Sequence, residues 1–179
     1  MTQSTELELE CTFLAKALPV EIKGATPKRL IDIYIPESGT DHPRLRLRQK
    51  GDDFELTKKT PIQDSDASAH NEITIPLDVV EFNALSKSSA KRVIKDRYFV
   101  DINGHPAEVD VFLEELEGLV LIDFEFSSRS EQESFIAPSV CLADVTQENF
   151  IAGGLLAGKS YRDIKGELDR FEYVPLKMA

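Results

Sequence analysis

The sequence has no tryptophan, two cysteines, three histidines and no long apolar run among its 179 residues. Cys11 and Cys141 are too few for a disulfide framework, and no metal-ligand spacing joins them to the histidines. Neither cysteine has a neighbouring histidine, which argues against a thiol nucleophile. No apolar stretch is long enough to span a bilayer and no signal peptide is recognisable, so we expect a cytoplasmic protein without a membrane partner.

Basic residues are also scarce, with 21 lysines and arginines against 32 aspartates and glutamates. The resulting net charge of −11 repels nucleic acid and anionic lipid, so neither is an expected partner. The length and the balance of apolar and charged residues are those of one globular domain, and no linker or repeat divides residues 1–179.

Alternation of apolar and polar residues, with turn signals between the runs, predicts a chain made mostly of strands. The predicted strands are 5–14, 29–35, 44–50, 53–60, 71–76, 92–102, 106–113 and 119–127. The predicted helices are 76–85, 130–136 with Ser130 as its N-cap, 148–157 and 160–170, and residues 61–70 read as a polar loop. Many short strands with few helices indicate an α+β fold built on an antiparallel sheet or barrel.

The charged faces of these strands are nearly single-signed. In the segment ELELECTF, Glu6, Glu8 and Glu10 share one face and leucines occupy the other. The same alternation gives a cationic row at Arg44, Arg46 and Arg48. Further single-signed pairs are Lys95 with Arg97, Glu108 with Asp110, and Asp123 with Glu125.

For any one strand, a solvated outer face with cross-strand salt bridges is the simpler interpretation. A solvated face gives no reason to sort charges by strand, however, because like charges on neighbouring strands repel. Sorted rows suit a polyphosphate with its metal ions, since guanidinium groups bind phosphate and carboxylates bind Mg²⁺ or Mn²⁺. Both rows must then face each other inside a closed or strongly curved sheet.

These segments resemble the CYTH domains, the triphosphate tunnel metalloenzymes. E8-L-E10-C-T12 is similar to their opening Glu-x-Glu-x-Lys signature, and RLRLRQKGDDFELTKK, NEIT, VIKDRY, AEVDVF, LIDFEF and DVT follow in the family's order. The resemblance covers residues 6–160 and leaves a tail at 161–179. It implies an eight-stranded antiparallel β-barrel with flanking helices, whose polar tunnel hydrolyses or cyclises triphosphates with Mg²⁺ or Mn²⁺.

Matching the motifs position by position implies roles for individual residues. The implied metal ligands are Glu8, Glu10, Asp123 and Glu125, of which Glu8, Glu10 and Glu125 are the implied catalytic carboxylates. The implied phosphate-binding cations are Arg46, Arg48, Lys59, Lys95 and Arg97, with Arg44 as an addition at the end of its row. Glu72 and Asp110 match acidic positions that bind metal or orient the cations.

Two departures from the family pattern bear on activity. Thr12 replaces the signature lysine, and Lys16, at the same parity, is the candidate to replace that charge. The usual Tyr-x-Asn near the C-terminus is absent, and FIAGGLLAG stands there instead.

Other motifs favour structural roles. Residues 153–160 satisfy the P-loop pattern, but no buried strand precedes them, so we expect a helix ended by Gly158 and a second one capped by Ser160. His42, His70 and His105 lie in predicted turns or in the polar loop and are expected at the surface.

The expected function is metal-dependent hydrolysis of a small-molecule triphosphate or polyphosphate. The absence of tryptophan removes the strongest stacking platform for an organic ring and favours inorganic tripolyphosphate. Two alternatives stay open: an adenylate cyclase of class IV type, and a phosphate-binding module whose catalysis is weakened by Thr12. The sequence leaves the oligomeric state open between monomer and homodimer.

Overall fold

The computed structural model describes residues 5–38, 42–63 and 66–178, with side chains from Leu7 onward. Its strands are β1 (Thr5–Ala15), β2 (Lys28–Ile35), β3 (Leu45–Lys50), β4 (Asp53–Pro61), β5 (Ala69–Leu77), β6 (Arg92–Ile102), β7 (His105–Phe112), β8 (Val120–Glu125) and β9 (Cys141–Asp144). Its α-helices are α1 (Val79–Leu85), α2 (Arg129–Ser134), α3 (Gly153–Leu156) and α4 (Tyr161–Asp169). Among these described residues no helix is long and apolar enough to cross a membrane.

The strands form one antiparallel sheet that closes on itself, in the order β5-β4-β3-β2-β6-β7-β8-β1. Strand β1 closes the barrel because it is long enough to pair twice: residues 5–9 pair with β5 and residues 10–14 pair with β8. The turn Asn103-Gly104 has positive φ angles of 55° and 85°, which suit a two-residue hairpin between β6 and β7. The predicted eight-stranded antiparallel barrel is confirmed.

Two apolar clusters pack around the barrel, one on its outer face and one at an end of its interior. The cluster at the end of the interior joins inward-facing strand residues, such as Leu14, Tyr34 and Val93, to Leu156 of α3 and Leu168 of α4. A second cluster lies on the outer faces of β1, β7 and β8 and includes Phe13 and Phe124, which Phe135 packs against. The interior of the barrel is therefore apolar at the end next to α3 and α4 and charged along the rest of the cavity.

The structure corrects several predicted boundaries. Strand β9 was not predicted, because four residues are too few to show alternation; it pairs with the end of β1. Helix α1 starts later than predicted, since Asp78 forms a capping box with Glu81. The N-cap of α2 is Ser128 and not Ser130, because the Ser128 side chain accepts from the amide of Glu131.

The polar loop is shorter than predicted, because β4 runs to Pro61 and β5 begins at Ala69. Residues 64–65 of this loop lie outside the described part of the chain. Residues 39–41 of the predicted turn after Pro36 also lie outside it. The structural interpretation of the P-loop pattern is confirmed: Gly158, with φ of 82°, follows the short helix α3, and Ser160 caps α4.

Candidate active site

The barrel encloses a cavity of about 510 Å³. All twelve residues to which the family resemblance assigns a role line it: Glu8, Glu10, Arg44, Arg46, Arg48, Lys59, Glu72, Lys95, Arg97, Asp110, Asp123 and Glu125. The segment ELELECTF contains one further glutamate, Glu6, whose side chain lies outside the described part of the chain.

The order of the strands gathers these charges into two walls. Four neighbouring strands, β7, β8, β1 and β5, carry the acidic residues of the set, whereas β4, β3 and β6 carry its cations, apart from Arg44, which directly precedes β3. Strand β2, between β3 and β6, adds the carboxylate of Asp32 to the cationic wall. Because strands with the same sign of charge are neighbours, each sign occupies one side of the barrel. A cationic wall therefore faces an acidic wall across the tunnel.

The two walls meet at seams where opposite charges pair. At the β4–β5 seam, the ammonium nitrogen of Lys59 lies 2.5 Å from Glu8, 3.8 Å from Glu10 and 3.5 Å from Glu72. Burial alone would lower the pKa of Lys59, but Glu10 and Glu8 outweigh it and hold that pKa above its ordinary value. Lys59 is therefore a charged group at the border of the acidic wall.

At the β6–β7 seam, Asp110 holds two cations in place. Both of its carboxylate oxygens accept from the Arg97 guanidinium at 2.6 Å, and Lys95 donates to one of them. Asp110 is only 1% exposed; burial opposes its ionisation, but Arg97 and Lys95 lower its pKa to about 2. Arg97 also contacts Glu108 and reaches Asp123 at 3.6 Å, so it links the cationic wall to the acidic one.

Asp32 neutralises part of the cationic wall, a role that the sequence did not suggest. Its oxygens accept two hydrogen bonds from Arg48, at 2.6 and 2.8 Å, and lie 3.9 Å from Arg46. Burial opposes ionisation of this 1% exposed carboxylate, but Arg48 and Arg46 outweigh it and hold its pKa well below the ordinary value. A single acid in the apolar run LIDIYI was the only available signal.

Within the acidic wall, carboxylates face each other on neighbouring strands. Glu10 is the direct cross-strand partner of Glu125, and Glu108 that of Asp123. Burial and repulsion from Asp110 and Glu10 raise the pKa of Asp123 to about 7. Burial and the carboxylate of Glu108 also raise the pKa of Glu125. This wall carries more negative charge than its protein neighbours compensate, and a bound cation would relieve it.

Thr12 occupies the position of the family's signature lysine and is satisfied without a cation. Its hydroxyl donates to Asp123 at 2.7 Å, and its amide donates to the hydroxyl of Thr146 at 3.0 Å. The suggestion that Lys16 replaces the missing charge is wrong: Lys16 follows the end of β1, is exposed and does not line the cavity. The strand ends one step too early for its side chain to reach the tunnel.

His70 also differs from its prediction. It belongs to β5, not to a surface loop, and its side chain lines the cavity. Ligand atoms of Glu8, Glu10 and His70 all lie within 4.8 Å of one another, a spacing that fits one metal ion. The donor set and the uncompensated charge of the acidic wall therefore suit a divalent cation.

The segment that replaces the family's Tyr-x-Asn packs against the barrel instead of leaving a gap. Ile151, Ala152 and Gly153 line the cavity. A Cβ atom at Gly153 would lie 2.1 Å from the Tyr34 hydroxyl, so only glycine allows the chain to pass there. Gly153, and Gly154 beside Pro43, therefore allow the close approach of this segment to the barrel.

A closed antiparallel barrel with a cationic wall facing a carboxylate wall defines the class of triphosphate tunnel proteins. An inorganic triphosphatase of Nitrosomonas europaea is 32% identical over 143 residues, which cover 79% of this chain and 90% of that relative. The crystal structure of the inorganic triphosphatase NE1496 matches with a TM-score of 0.61 and 29% identity, over 84% of this chain and 93% of that one.

A putative adenylate cyclase from Bacillus halodurans matches with a TM-score of 0.52 over 98% of this chain and 95% of its own, but at 16% identity it shows the shared fold alone. A comparison with protein-family models gives no match. The sequence relationship and the shared barrel settle the class, and the chain belongs to the CYTH family of triphosphate tunnel metalloenzymes.

Replacement of Asp32 by asparagine tests the balance of the cationic wall. Asp32→Asn leaves Arg48 and Arg46 without a counter-charge, and removal of one partner from a buried pair costs about 3–5 kcal/mol. We expect a loss of about 3 kcal/mol in the free energy of unfolding, measured by urea denaturation.

Asp96→Asn is the matched control. Asp96 makes the same two-bond contact with Arg29, but that arginine is 57% exposed on the outer face. We expect a cost below about 1 kcal/mol for this exposed pair. Equal losses for the two variants would contradict the role given to Asp32.

Proposed function

We propose that this protein is a metal-dependent hydrolase of triphosphates, with inorganic tripolyphosphate as its substrate. The observation that supports this function best is the cationic wall facing a wall of uncompensated carboxylates inside one closed tunnel. A polyphosphate with divalent ions matches both walls at once. The relative from Nitrosomonas europaea, an inorganic triphosphatase, gives independent support for the reaction.

The cationic wall would bind the phosphates. We assign this role to Arg44, Arg46, Arg48, Lys59, Lys95 and Arg97. Arg46 has a donor available for a phosphate, because its buried Nε has no hydrogen-bond partner among the described residues. Arg48 and Arg97 are already oriented by Asp32 and Asp110, so little side-chain entropy is lost when a phosphate binds.

The acidic wall would hold the metal. We assign Glu8, Glu10, Asp123 and Glu125 as ligands for Mg²⁺ or Mn²⁺, with Glu8, Glu10 and Glu125 as the catalytic carboxylates. Asp110 is better explained as a positioning residue, since Lys95 and Arg97 engage its carboxylate. Glu72, 3.5 Å from Lys59 and bonded to Thr74, has the corresponding place at the other seam. When bound, the metal would polarise the phosphoryl group and activate water.

The contribution of the chain to the reaction is positioning and charge. Arginine forks would hold the equatorial oxygens of the transferred phosphoryl group and neutralise charge that grows in the transition state. The apolar clusters that pack on the barrel hold its strands in place, so the charged groups need little reorganisation during the reaction. The arrangement requires no covalent intermediate, since water activated by the metal would be the nucleophile.

Orthophosphate release over a panel of triphosphates with Mg²⁺ and with Mn²⁺ tests this function. We expect release from tripolyphosphate above that from ATP or thiamine triphosphate. Formation of cyclic AMP from ATP would instead favour the cyclase alternative, and binding without turnover would favour the phosphate-binding module. The oligomeric state and the cytoplasmic location stay predictions.

Glu10→Gln and Glu125→Gln test the assigned metal ligands. Each change replaces a hard anionic ligand by a neutral amide, so we expect loss of the rise in melting temperature that Mn²⁺ produces in the parent protein. Glu133→Gln, an exposed residue of α2 outside the cavity, should keep the full shift. If both cavity variants also keep it, these residues are not ligands.

Thr12→Lys tests the departure from the family signature. A lysine at this position would lie against Asp123, which Thr12 contacts at 2.7 Å, and would add a cation to the acidic wall. Loss of one preorganised electrostatic group typically costs about 10²–10³-fold in turnover, so the parent protein should bind tripolyphosphate readily and hydrolyse it slowly. Steady-state kinetics at saturating metal should show that Thr12→Lys raises kcat more than it lowers KM.

Thr12→Met is the control for side-chain length without charge and should not raise kcat. An unchanged or lower kcat in Thr12→Lys would show that catalysis here needs no cation at this position.

A further inference from the structure

The acidic wall contains one group that is not a carboxylate, the imidazole of His70. On the neighbouring strands β1 and β5, His70 and Glu8 are direct cross-strand partners. Such pairs place their side chains close together on the same face of a sheet, here the face inside the barrel. The strand register thus fixes an imidazole beside the first of the two glutamates on β1.

The imidazole has no structural partner that would explain its position. Its Nδ1 is buried and, among the described residues, makes no hydrogen bond. Buried polar atoms of this kind are normally paired, so an unpaired one at a ligand-binding cavity indicates a missing partner. Glu8 does not supply it: its Oε2 atom is likewise buried without a hydrogen bond among the described residues, and its ion pair is with Lys59.

Metal coordination explains the unpaired nitrogen and the register together. One ligand atom from each of Glu8, Glu10 and His70 lies within 4.8 Å of the other two, so a single ion between them could bind all three. We propose that His70 is the third protein ligand of the ion held by Glu8 and Glu10, and that it makes this site selective for Mn²⁺ over Mg²⁺. This inference rests on the proposed function.

The selectivity follows from the chemistry of the donors. Two carboxylates alone suit Mg²⁺ and Mn²⁺ alike, since both ions accept hard oxygen ligands. An imidazole nitrogen is a poor ligand for Mg²⁺, which keeps oxygen and water around it, whereas transition ions bind nitrogen well. His70 thus adds binding free energy for Mn²⁺ that Mg²⁺ does not gain.

Lys59 competes with this ion. Its ammonium group occupies the space next to Glu8 and Glu10, so an ion at the three ligands must displace it. A phosphate bound at the cationic wall would be a new partner for the displaced ammonium group. Metal alone should therefore bind more weakly than metal with substrate, so measurements without substrate need a high protein concentration.

Pulsed electron paramagnetic resonance of Mn²⁺ bound to the protein without substrate tests the ligand directly. We expect a ¹⁴N coupling from a directly bound imidazole in the parent protein and its loss in His70→Ala. His105→Ala is the matched control, since His105 packs against Phe135 outside the cavity and should leave the coupling unchanged.

Calorimetric titration with Mn²⁺ and with Mg²⁺ measures the selectivity. We expect His70→Ala to weaken Mn²⁺ binding by about tenfold or more and Mg²⁺ binding by less than about twofold. Mn²⁺ binding without a ¹⁴N coupling, or an equal loss for both ions, would overturn the assignment of His70 while orthophosphate release still supports the proposed function. No binding of Mn²⁺ to the parent protein would overturn the metal site itself.

Discussion

The repulsion among like charges on one side of the barrel is the constraint on which the structure depends. Glu10 faces Glu125 and Glu108 faces Asp123 across neighbouring strands, an arrangement that costs free energy on an ordinary sheet. Two unit charges 4 Å apart interact by about 4 kcal/mol at an effective dielectric constant of 20. Such a wall is tolerable only beside a source of positive charge, which the opposite wall and a bound cation provide.

The two seams and Asp32 make the charged interior compatible with folding. Lys59 balances the acidic wall at one border, and Arg97 with Lys95 does so at the other. Asp32 prevents the reverse problem within the cationic wall, where Arg46 and Arg48 would otherwise repel each other. These pairs hold the phosphate-binding groups in fixed orientations, so the same contacts that permit folding also preorganise the site.

Alternation in the sequence was enough to predict the strands and their charged faces, because a period of two determines which side chains share a face. The closed eight-stranded barrel was implied by the family resemblance. Alternation could not predict that β1 pairs with both β5 and β8, since register depends on contacts between distant segments. Asp32 was missed because one acid in an apolar strand looks like any exposed charge.

His70 was assigned to the surface because it follows a run of polar residues that is typical of a loop, whereas β5 already begins at Ala69. The family resemblance supplied what periodicity alone could not, namely which charged residues share one cavity. All twelve of the assigned residues line that cavity, although their individual roles stay predictions. Thr12 shows the limit of the resemblance, because a local hydrogen bond to Asp123 satisfies a position where relatives carry a cation.

In the proposed function, a triphosphate and its metal bind between the two walls. A crystal structure with a methylene-bridged tripolyphosphate analogue and Mn²⁺, with anomalous scattering to locate the metal, tests it most directly. We expect a manganese peak within bonding distance of Glu8 and Glu10, with the analogue's phosphates on Arg46, Arg48 and Arg97. An analogue bound outside the barrel, or a manganese peak remote from the acidic wall, would contradict it.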